Sequence, residues 1–309
     1  MGRFFFACIF CLNRLMTNKY FCFNLESFET SPDAHDAELM SDRGLAYGHG
    51  VFETMLYHKC ALPLKNKHFS RMIADSAALG IVLPRSHLDK AEEAIHAQAR
   101  EVGFKNGIVK IILTAGSGGR GYASPVMMSP KMIFSYHKLD EIWAIQRDKG
   151  LELWSCDHSL SDNPSLVGIK HLNRLDQILG ASEANAKGYL DGLMFNSRGL
   201  LVETTCANIF LRTEKYGWLT PSIETAGING VMRSLLIHEV FPRVNFPLKT
   251  FQIESDMLCD ITELFVCNSA RGIVPVRAIR GNKRDITLAI GQETRTLQSK
   301  LSELYQCYK

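Results

Sequence analysis

Residues 166–183, LVGIKHLNRLDQILGASE, contain the side chain best suited to covalent chemistry, Lys170. The apolar run 166–169, interrupted by Gly168, predicts the end of a buried strand, and apolar residues at spacings of three and four from 172 to 179 predict a helix face. Asn173 stands where a helix cap is expected. Burial at such a junction lowers a lysine pKa, and the neutral amine is a nucleophile or a base. On spacing alone, an ordinary solvated lysine is the alternative.

A second segment, GSGGRGY at residues 116–122, carries a possible ligand-binding loop. Its glycines fit the pattern G-x-G-x-x-G, which is typical of dinucleotide-binding folds when a helix follows. Only residues 122–130, which include Pro125 and Pro130, separate these glycines from the next predicted strand. A parallel crossover needs a dozen residues or more. The sequence therefore argues against a dinucleotide site.

The composition of the chain excludes several classes of function. With 309 residues, 46% hydrophobic and 22% charged, the chain suits one large or two ordinary globular domains. A net charge of +3 is too small to indicate binding to nucleic acid or to an anionic membrane. Only Cys8 and Cys11 of the nine cysteines form a CxxC pair, so no metal site is predicted. We expect reduced thiols in a cytoplasmic protein.

The first residues have some features of a targeting sequence. Residues 3–12, RFFFACIFCL, combine one arginine with an apolar run of the length of a signal-peptide core. No A-x-A-like cleavage site follows, the run is too short to span a bilayer, and Met16 offers a second start. We expect residues 1–15 to be an extension outside the fold.

Strands and helices alternate in both halves of the chain, which predicts an α/β fold of the α+β type with two domains. The domains expected are a small N-terminal one at 16–140, a linker at 141–150 and a larger C-terminal one at 151–309. The predicted strands are 20–28, 51–57, 108–114, 131–137, 151–156, 192–196, 200–202, 209–212, 216–220, 264–268 and 274–278. The predicted helices are 68–80, 88–102, the helix after Lys170, 231–240 ending before Pro242, 254–260 and 288–304.

Five further segments accompany the lysine segment GIKHLNRLDQIL in a fixed order. They are YGHGVFET at 47–54, GSGGRGY at 116–122, VETTCANIF at 202–210, AGINGVMR at 226–233 and VCNSARGIVPV at 266–276. Together they resemble the fold-type IV pyridoxal-phosphate enzymes, over residues 41–276. That family includes branched-chain and D-amino-acid aminotransferases and a lyase branch. The resemblance implies two domains, the smaller one N-terminal, with pyridoxal 5'-phosphate in the cleft between them.

The resemblance also implies roles for the catalytic and cofactor-binding residues. Lys170 matches the lysine that forms a Schiff base with the cofactor and then moves protons. Glu203 matches the carboxylate beside the pyridine nitrogen, where it favours the protonated ring and makes the ring a stronger electron sink. The resemblance assigns the phosphate contacts to the guanidinium of Arg71, to the backbone amides of Ile228 and Asn229 at a helix start, and to the hydroxyl of Ser269.

Three further residues are expected to bind substrate. The family's loop at GSGGRGY borders the substrate, so Arg120 becomes a candidate to hold a carboxylate, with a solvated loop arginine as the alternative. Tyr47 and Arg174 are lesser pocket candidates. His49 departs from the family, which has Asp or another small residue there. It is expected either at the mouth of the active site, titrating near neutral pH, or in solvent.

KHLNRL and GSGGRGY most resemble the lyase branch, the aminodeoxychorismate lyases. That resemblance implies conversion of 4-amino-4-deoxychorismate to 4-aminobenzoate and pyruvate in folate biosynthesis, by a homodimer. The lysine would remove the C–H proton and enolpyruvate would leave. An aminotransferase of the same fold, acting on D- or branched-chain amino acids, is the alternative enzyme. A non-catalytic cofactor-binding protein is the alternative outside enzymes, and retention of all the catalytic groups argues against it.

Overall fold

The computed structural model describes residues 20–24, 30–31, 41–119, 121–282 and 284–309. Within this part of the chain the strands form one five-stranded and one ten-stranded sheet, so the mixed α and β fold predicted from sequence is confirmed. The predicted extension at residues 1–15 and the side chain of Arg120 lie outside the described residues.

The N-terminal sheet is antiparallel throughout its described strands, in the order β2-β1-β5-β4-β3. Its strands are β1 (Tyr20–Asn24), β2 (Thr30–Ser31), β3 (Gly50–Tyr57), β4 (Gly107–Thr114) and β5 (Lys131–His137). The helices of this half are α1 (Arg43–Tyr47), α2 (Lys65–Ala78) and α3 (Arg85–Glu101). Phe69 and Met72 of α2 and Leu88 and Ile95 of α3 are fully buried in the same core as β4. The apolar spacing of both helices thus attaches them to the sheet.

The C-terminal sheet is mixed. Its order is β11-β10-β9-β13-β14-β6-β7-β8-β12, with β15 paired to β14. Its strands are β6 (Leu151–Ser155), β7 (Gly192–Phe195), β8 (Leu200–Thr204), β9 (Asn208–Thr213), β10 (Gly217–Pro221), β11 (Leu248–Phe251), β12 (Ile253–Glu254), β13 (Ile261–Asn268), β14 (Gly272–Gly281) and β15 (Arg284–Thr287). Strand β6 runs parallel to both β7 and β14. The predicted hairpin at 192–202 is present as β7 and β8.

Helices cover this sheet and connect it to the N-terminal half. They are α4 (Ile142–Lys149), α5 (Leu175–Ala186), α6 (Val231–Leu235), α7 (Phe241–Val244) and α8 (Gln292–Leu304), with a π-helical stretch at Leu236–Val240 and 3-10 turns at Ser255–Asp260 and Gln306–Tyr308. Helix α4 occupies the predicted linker 141–150. The boundary drawn there stays a prediction.

The lysine segment runs between the two halves. On one side the amide of Phe52 donates to the carbonyl of Lys170 at 3.0 Å, and the amide of Leu172 donates to Gly50 at 3.0 Å. On the other side Gly168 exchanges hydrogen bonds with the loop 227–229, donating to Gly227 at 2.9 Å and accepting from Asn229 at 3.1 Å. Lys170 is therefore fixed to the edge strand β3 and to the C-terminal half at once.

The structure corrects two local predictions in this segment. Residues 164–167 form a turn rather than the end of a strand, because the backbone of the segment pairs only through isolated bridges at Gly168 and His171. Asn173 is not the helix cap: Arg174 occupies that position without a side-chain cap bond. The amide group of Asn173 instead donates to the carbonyl of Gly48 at 3.2 Å.

The prediction that a helix ends before Pro242 is also wrong. Helix α6 continues through the π-helical stretch into α7, and Pro242 lies in the first turn of α7. A proline is tolerated in a first turn because that backbone position has no intrahelical hydrogen bond to lose.

The apolar residues of α5 share one helix face, as their spacing predicts, but that face is exposed. Leu175, Ile178 and Leu179 are 72%, 56% and 52% exposed. The buried side of the helix consists of small residues instead, Gly180 and Ala184. A Cβ at position 180 would lie 2.8 Å from the Met194 side chain, so glycine permits the close approach to β7. The periodic pattern was read correctly as a helix, but its apolar face points outward.

Candidate active site

A cavity of about 450 Å³ is lined by residues from both halves of the chain. Phe52 and Arg71 come from β3 and α2, while Lys170, Glu203 and Ser269 come from the C-terminal half. Of the nine residues predicted for the site, six line this cavity: Lys170, Glu203, Arg71, Ile228, Ser269 and Arg174. Asn229 is not among the lining residues, although its carbonyl accepts from Arg71 Nη1 at 3.0 Å.

Lys170 lies in the cavity with its amine over an aromatic ring. The Nζ atom is 4.2 Å from the centroid of the Phe52 ring. Burial, together with the positive charges of Arg71 and Arg174, lowers the pKa of Lys170 to about 8. The backbone amide of Lys170 donates to the Asp75 carboxylate at 2.8 Å. The amine is therefore held in place by its own backbone and is neutral in an appreciable fraction near physiological pH.

The lowered pKa predicts how Lys170 reacts with an amine-acylating reagent. In cofactor-free protein, labelling of Lys170 should rise through about pH 8, because only the neutral amine attacks. An ordinary lysine, with a pKa of about 10.4, should still gain reactivity above pH 9. Peptide mass spectrometry over a pH series measures both. A midpoint for Lys170 above pH 10 would contradict the effect of burial.

Glu203 is a buried carboxylate at the end of β8. Its Oε2 atom accepts from the backbone amide of Ile228 at 3.0 Å and from the side-chain amide of Asn208 at 3.4 Å. Burial raises the pKa of Glu203, and the amide of Ile228 and the charges of Arg174 and Lys170 oppose that rise. A carboxylate in this position attracts a cationic ligand group because it has few other partners.

Arg71 is oriented by a buried ion cluster. Its Nε and Nη2 atoms donate to the two oxygens of Glu53 at 2.7 and 2.6 Å, and its Nη1 donates to the carbonyl of Asn229 at 3.0 Å. His68 Nδ1 lies 2.6 Å from the same carboxylate. Burial alone would raise the pKa of Glu53, but Arg71 and His68 lower it to about 2. The bidentate contact fixes the plane of the guanidinium at the cavity wall.

The turn before α6 supplies backbone amides near the cavity. Without a ligand these amides have partners: that of Ile228 donates to Glu203, and that of Asn229 donates to Gly168. The first amides of α6, those of Val231 and Met232, have no acceptor within the helix, and both residues line the cavity. Such a helix start attracts an anion. Ser269 lies in the same wall, buried, and its carbonyl accepts from the Tyr308 hydroxyl at 2.7 Å.

The predicted substrate residues are only partly brought together. Arg174 lines the cavity, but its Nε and Nη2 atoms donate to the carbonyls of His171 and Ile169 at 2.9 and 3.0 Å. Arg174 therefore stabilises the backbone of the lysine segment. Tyr47 does not line this cavity, because Gly48 ends α1 in a left-handed turn and the Tyr47 ring packs against Tyr122.

His49 takes neither of its expected positions. Its Nδ1 accepts from Arg43 Nε at 3.1 Å, so its Nε2 donates to the carbonyl of Leu79 at 2.9 Å. Arg43 also donates to several carbonyls of the loop 118–123, among them Tyr122 at 2.9 Å. Arg43, held by His49, thus binds the described residues on either side of Arg120, the predicted substrate residue.

Several residues of the site were missed in the sequence. Glu53 had a detectable signal: it alternates with Val51 and Met55 on the buried side of a strand, where a lone carboxylate needs a cationic partner. Arg71 is that cationic partner, and His68, three residues earlier on the same helix, adds a second contact to the same carboxylate. Burial lowers the pKa of His68 and so favours its neutral form. Asp75 had no signal of its own, because its contact with Lys170 joins distant parts of the chain.

The described ranges contain neither a membrane-spanning helix nor a metal-binding cluster. No helix in the described ranges is long and apolar enough to cross a bilayer. No group of three or more His, Cys, Asp or Glu side chains, counted over those ranges, is arranged to hold a metal ion.

Comparison with known families gives a match over most of the chain. The model of the amino-transferase class IV family matches residues 50–279. The aminodeoxychorismate lyase of Vibrio harveyi is 30% identical over 266 residues, which cover 85% of this chain and 95% of that protein.

Solved structures show the same likeness. The 4-amino-4-deoxychorismate lyase of Pseudomonas aeruginosa superposes with a TM-score of 0.75 at 33% identity, covering 85% of this chain and 93% of that one. The branched-chain amino acid aminotransferase of Escherichia coli superposes with a TM-score of 0.79 at 20% identity, covering 94% and 95%. The second likeness concerns the fold alone.

Proposed function

The chain belongs to the class IV aminotransferase family, and we propose that it is a pyridoxal 5'-phosphate-dependent aminodeoxychorismate lyase. The proposed reaction converts 4-amino-4-deoxychorismate to 4-aminobenzoate and pyruvate, a step of folate biosynthesis. One observation carries the proposal: a buried lysine amine and a buried carboxylate line one cavity in a chain 30% identical to a lyase over almost that lyase's whole length.

The residues around the cavity fit the proposed cofactor. A pyridoxal phosphate needs an amine for its aldehyde, an anionic partner for its ring nitrogen and a cationic or amide-rich cradle for its phosphate. Lys170, Glu203 and Arg71 supply these three groups in one cavity, which the start of α6 and Ser269 also line. When bound, the cofactor supplies an electron-accepting pyridinium ring. The backbone amides of Ile228 and Asn229 would be further phosphate donors, as the resemblance implies; at present they donate to Glu203 and to Gly168.

Each side chain of this site would then have a separate role in the reaction. Lys170, neutral at its lowered pKa, would hold the cofactor through its Nζ atom and, once free of it, would take the proton from the amine-bearing ring carbon of the substrate. Phe52 lies under the amine, and Asp75 and Arg174 hold the backbone of the lysine segment. Loss of enolpyruvate leaves an aromatic ring, so the free energy change of the reaction is favourable. The main task of the protein is therefore to position the C–H bond. Arg120 stays a candidate for holding a substrate carboxylate.

The alternative, an aminotransferase of D- or branched-chain amino acids, shares these groups. The E. coli aminotransferase has the same fold. The two functions differ in what happens when the cofactor-loaded protein meets an amino acid alone. An aminotransferase converts its cofactor completely to pyridoxamine phosphate, which changes the absorption spectrum. We expect the spectrum to stay largely unchanged with D-alanine, leucine or valine. Complete conversion within seconds would favour the aminotransferase.

We also propose that the protein is a homodimer. Leu175, Ile178 and Leu179 form one exposed apolar face on α5, and exposed apolar patches of this kind mark interaction sites. Light scattering of the purified protein measures the mass, and Ile178→Glu should shift a dimer toward monomer. A monomer for the wild-type protein at micromolar concentration would overturn the proposal.

A further inference from the structure

The turn between β13 and β14 places an arginine, Arg271, in the wall of the same cavity. The turn is fixed because the side-chain oxygen of Asn268 accepts from the amides of Ala270 and Arg271 at 3.1 and 3.0 Å. The guanidinium carbon of Arg271 lies 3.1 Å from the centroid of the Trp143 ring. Its Nη1 atom donates to the sulfur of Cys206 at 3.2 Å. Trp143 and Cys206 therefore hold this guanidinium at the cavity wall, and Asn268 fixes the turn that carries it.

The other two arginines of the cavity are already engaged. Arg71 is bound to Glu53, and Arg174 donates to two backbone carbonyls. Arg271 differs from both, because among the described residues no carboxylate lies within ion-pair distance of it. Its charge is also not neutralised by Cys206, because desolvation of the sulfur and the neighbouring Asp191 carboxylate raise the pKa of that thiol to about 12.

The surroundings of Arg271 suit the capture of an anion. Stacking on the Trp143 ring keeps the guanidinium plane fixed while its edge stays available to a ligand. A guanidinium edge matches a carboxylate through two parallel hydrogen bonds. An arginine held this way against an aromatic face loses little conformational freedom when it binds.

We propose that Arg271 binds a carboxylate of the substrate and thereby sets the preference of the site for a dianionic substrate. This inference rests on the proposed function, because 4-amino-4-deoxychorismate carries one carboxylate on its ring and a second on its enolpyruvyl group. The residue is a specificity determinant separate from Lys170, which performs the proton transfer.

Arg271 and Trp143 also line a neighbouring cavity of about 620 Å³. The stacked pair therefore forms part of the boundary between the site with Lys170 and this second space. A substrate carboxylate on Arg271 would keep the pair in place and the reacting ring on the lysine side. Removing the guanidinium of Arg271 would remove both the positive charge and one member of the stacked pair.

The experiment compares the cofactor-loaded wild-type protein with Arg271→Gln and Arg271→Lys in 4-aminobenzoate release. A charged hydrogen bond contributes enough that its loss should raise KM about 10- to 100-fold. We expect kcat to change less than about 3-fold in Arg271→Gln, since the proton-transferring amine is untouched. Arg271→Lys keeps the charge but loses the two-pronged geometry, so its KM should lie between the other two. Arg100→Gln, an exposed arginine at the end of α3, is the matched control and should behave as wild type.

Product inhibition identifies the carboxylate. Weaker inhibition of Arg271→Gln by 4-aminobenzoate assigns Arg271 to the ring carboxylate, and weaker inhibition by pyruvate assigns it to the side-chain carboxylate. An unchanged KM in both variants, with the cofactor absorbance of wild type, overturns the inference alone. If Arg271→Gln does not fold, the KM of Arg271→Lys decides. A wild-type protein that releases no 4-aminobenzoate overturns the proposed function, and the inference with it.

Discussion

Replacing Lys170 by alanine is expected to lower 4-aminobenzoate release by at least about 10⁴-fold, the scale seen when an essential covalent group is removed. The variant loses both the amine that attaches the cofactor and the base that moves the proton. No second lysine in the described part of the cavity wall is placed as Lys170 is, over Phe52 with a pKa lowered to about 8. Steady-state assays of both proteins, loaded with equal cofactor, measure the loss.

Lys187→Ala is the matched control for this prediction. Lys187 is an exposed lysine just beyond the end of α5, and its replacement should leave turnover unchanged. Borohydride reduction of the wild-type protein, followed by peptide mass analysis, should find the cofactor mass on Lys170. Residual activity within 10-fold of wild type, or the cofactor mass on a different lysine, would contradict the role assigned to Lys170.

Replacing Glu53 by glutamine is expected to have the largest effect on stability. The substitution removes the negative charge that Arg71 and His68 share in a buried cluster. Leaving a buried cation without its partner costs about 3–5 kcal/mol in free energy of unfolding. For a domain of this size the melting temperature should fall by about 10 °C. Calorimetry or thermal circular dichroism measures the change, and cofactor affinity should also weaken because Arg71 loses its orientation.

Asp89→Asn provides the control for Glu53→Gln. Asp89 forms an ion pair with Arg85 at 3.0 Å on α3, with both side chains exposed. Exposed pairs contribute about 1 kcal/mol or less, so its melting temperature should stay within about 3 °C of wild type. If Glu53→Gln melted as close to wild type as Asp89→Asn does, the buried cluster would not have the role described.

The direction of the pKa shift at Glu53 fixes its pH dependence. The folded-state pKa of about 2 lies below the ordinary value of 4.5, so the folded protein holds the carboxylate ionised more strongly than the unfolded chain does. The stabilisation from this group is therefore complete above about pH 5. It is lost as the pH falls from there toward 2.

The strands and helices were largely predictable because their apolar residues repeat with the matching period. The near-continuous apolar run at 108–114 is β4, with Val109, Ile111 and Leu113 fully buried. The same reasoning failed at α5, since periodicity shows that residues share a face but not what covers that face. Leu175 and Ile178 follow the helical spacing and are nevertheless exposed.

The segment around Lys170 shows a second limit. Its apolar residues 166–169 looked like a strand, but its backbone partners are Phe52 and Gly227, which lie far away in sequence. A single sequence does not show such pairings. Asn173 likewise is a residue type that often caps helices, but its side-chain amide donates to the carbonyl of Gly48 instead.

The sequence predicts those residues of the candidate site that stand in recognisable motifs. It does not predict the residues whose role depends only on contacts made in the folded structure. Lys170 and Glu203 come from segments whose order resembles a family, and both line the cavity. Asp75 lies outside those segments, and Arg271 lies in the segment 266–276 without a role assigned by the resemblance. The parts proposed for both follow only from their contacts. Tyr47 sits in a matching motif but packs away from the cavity, because the turn at Gly48 directs its ring toward Tyr122.

The most direct test of the lyase function is the release of products from enzymatically generated 4-amino-4-deoxychorismate by the cofactor-loaded protein. We predict equal amounts of 4-aminobenzoate and pyruvate, formed without any added amino acceptor, and no product from Lys170→Ala. A wild-type protein with the absorption of a lysine-bound cofactor but with no 4-aminobenzoate formed would contradict the lyase function, and rapid conversion of that cofactor by an amino acid would identify an aminotransferase.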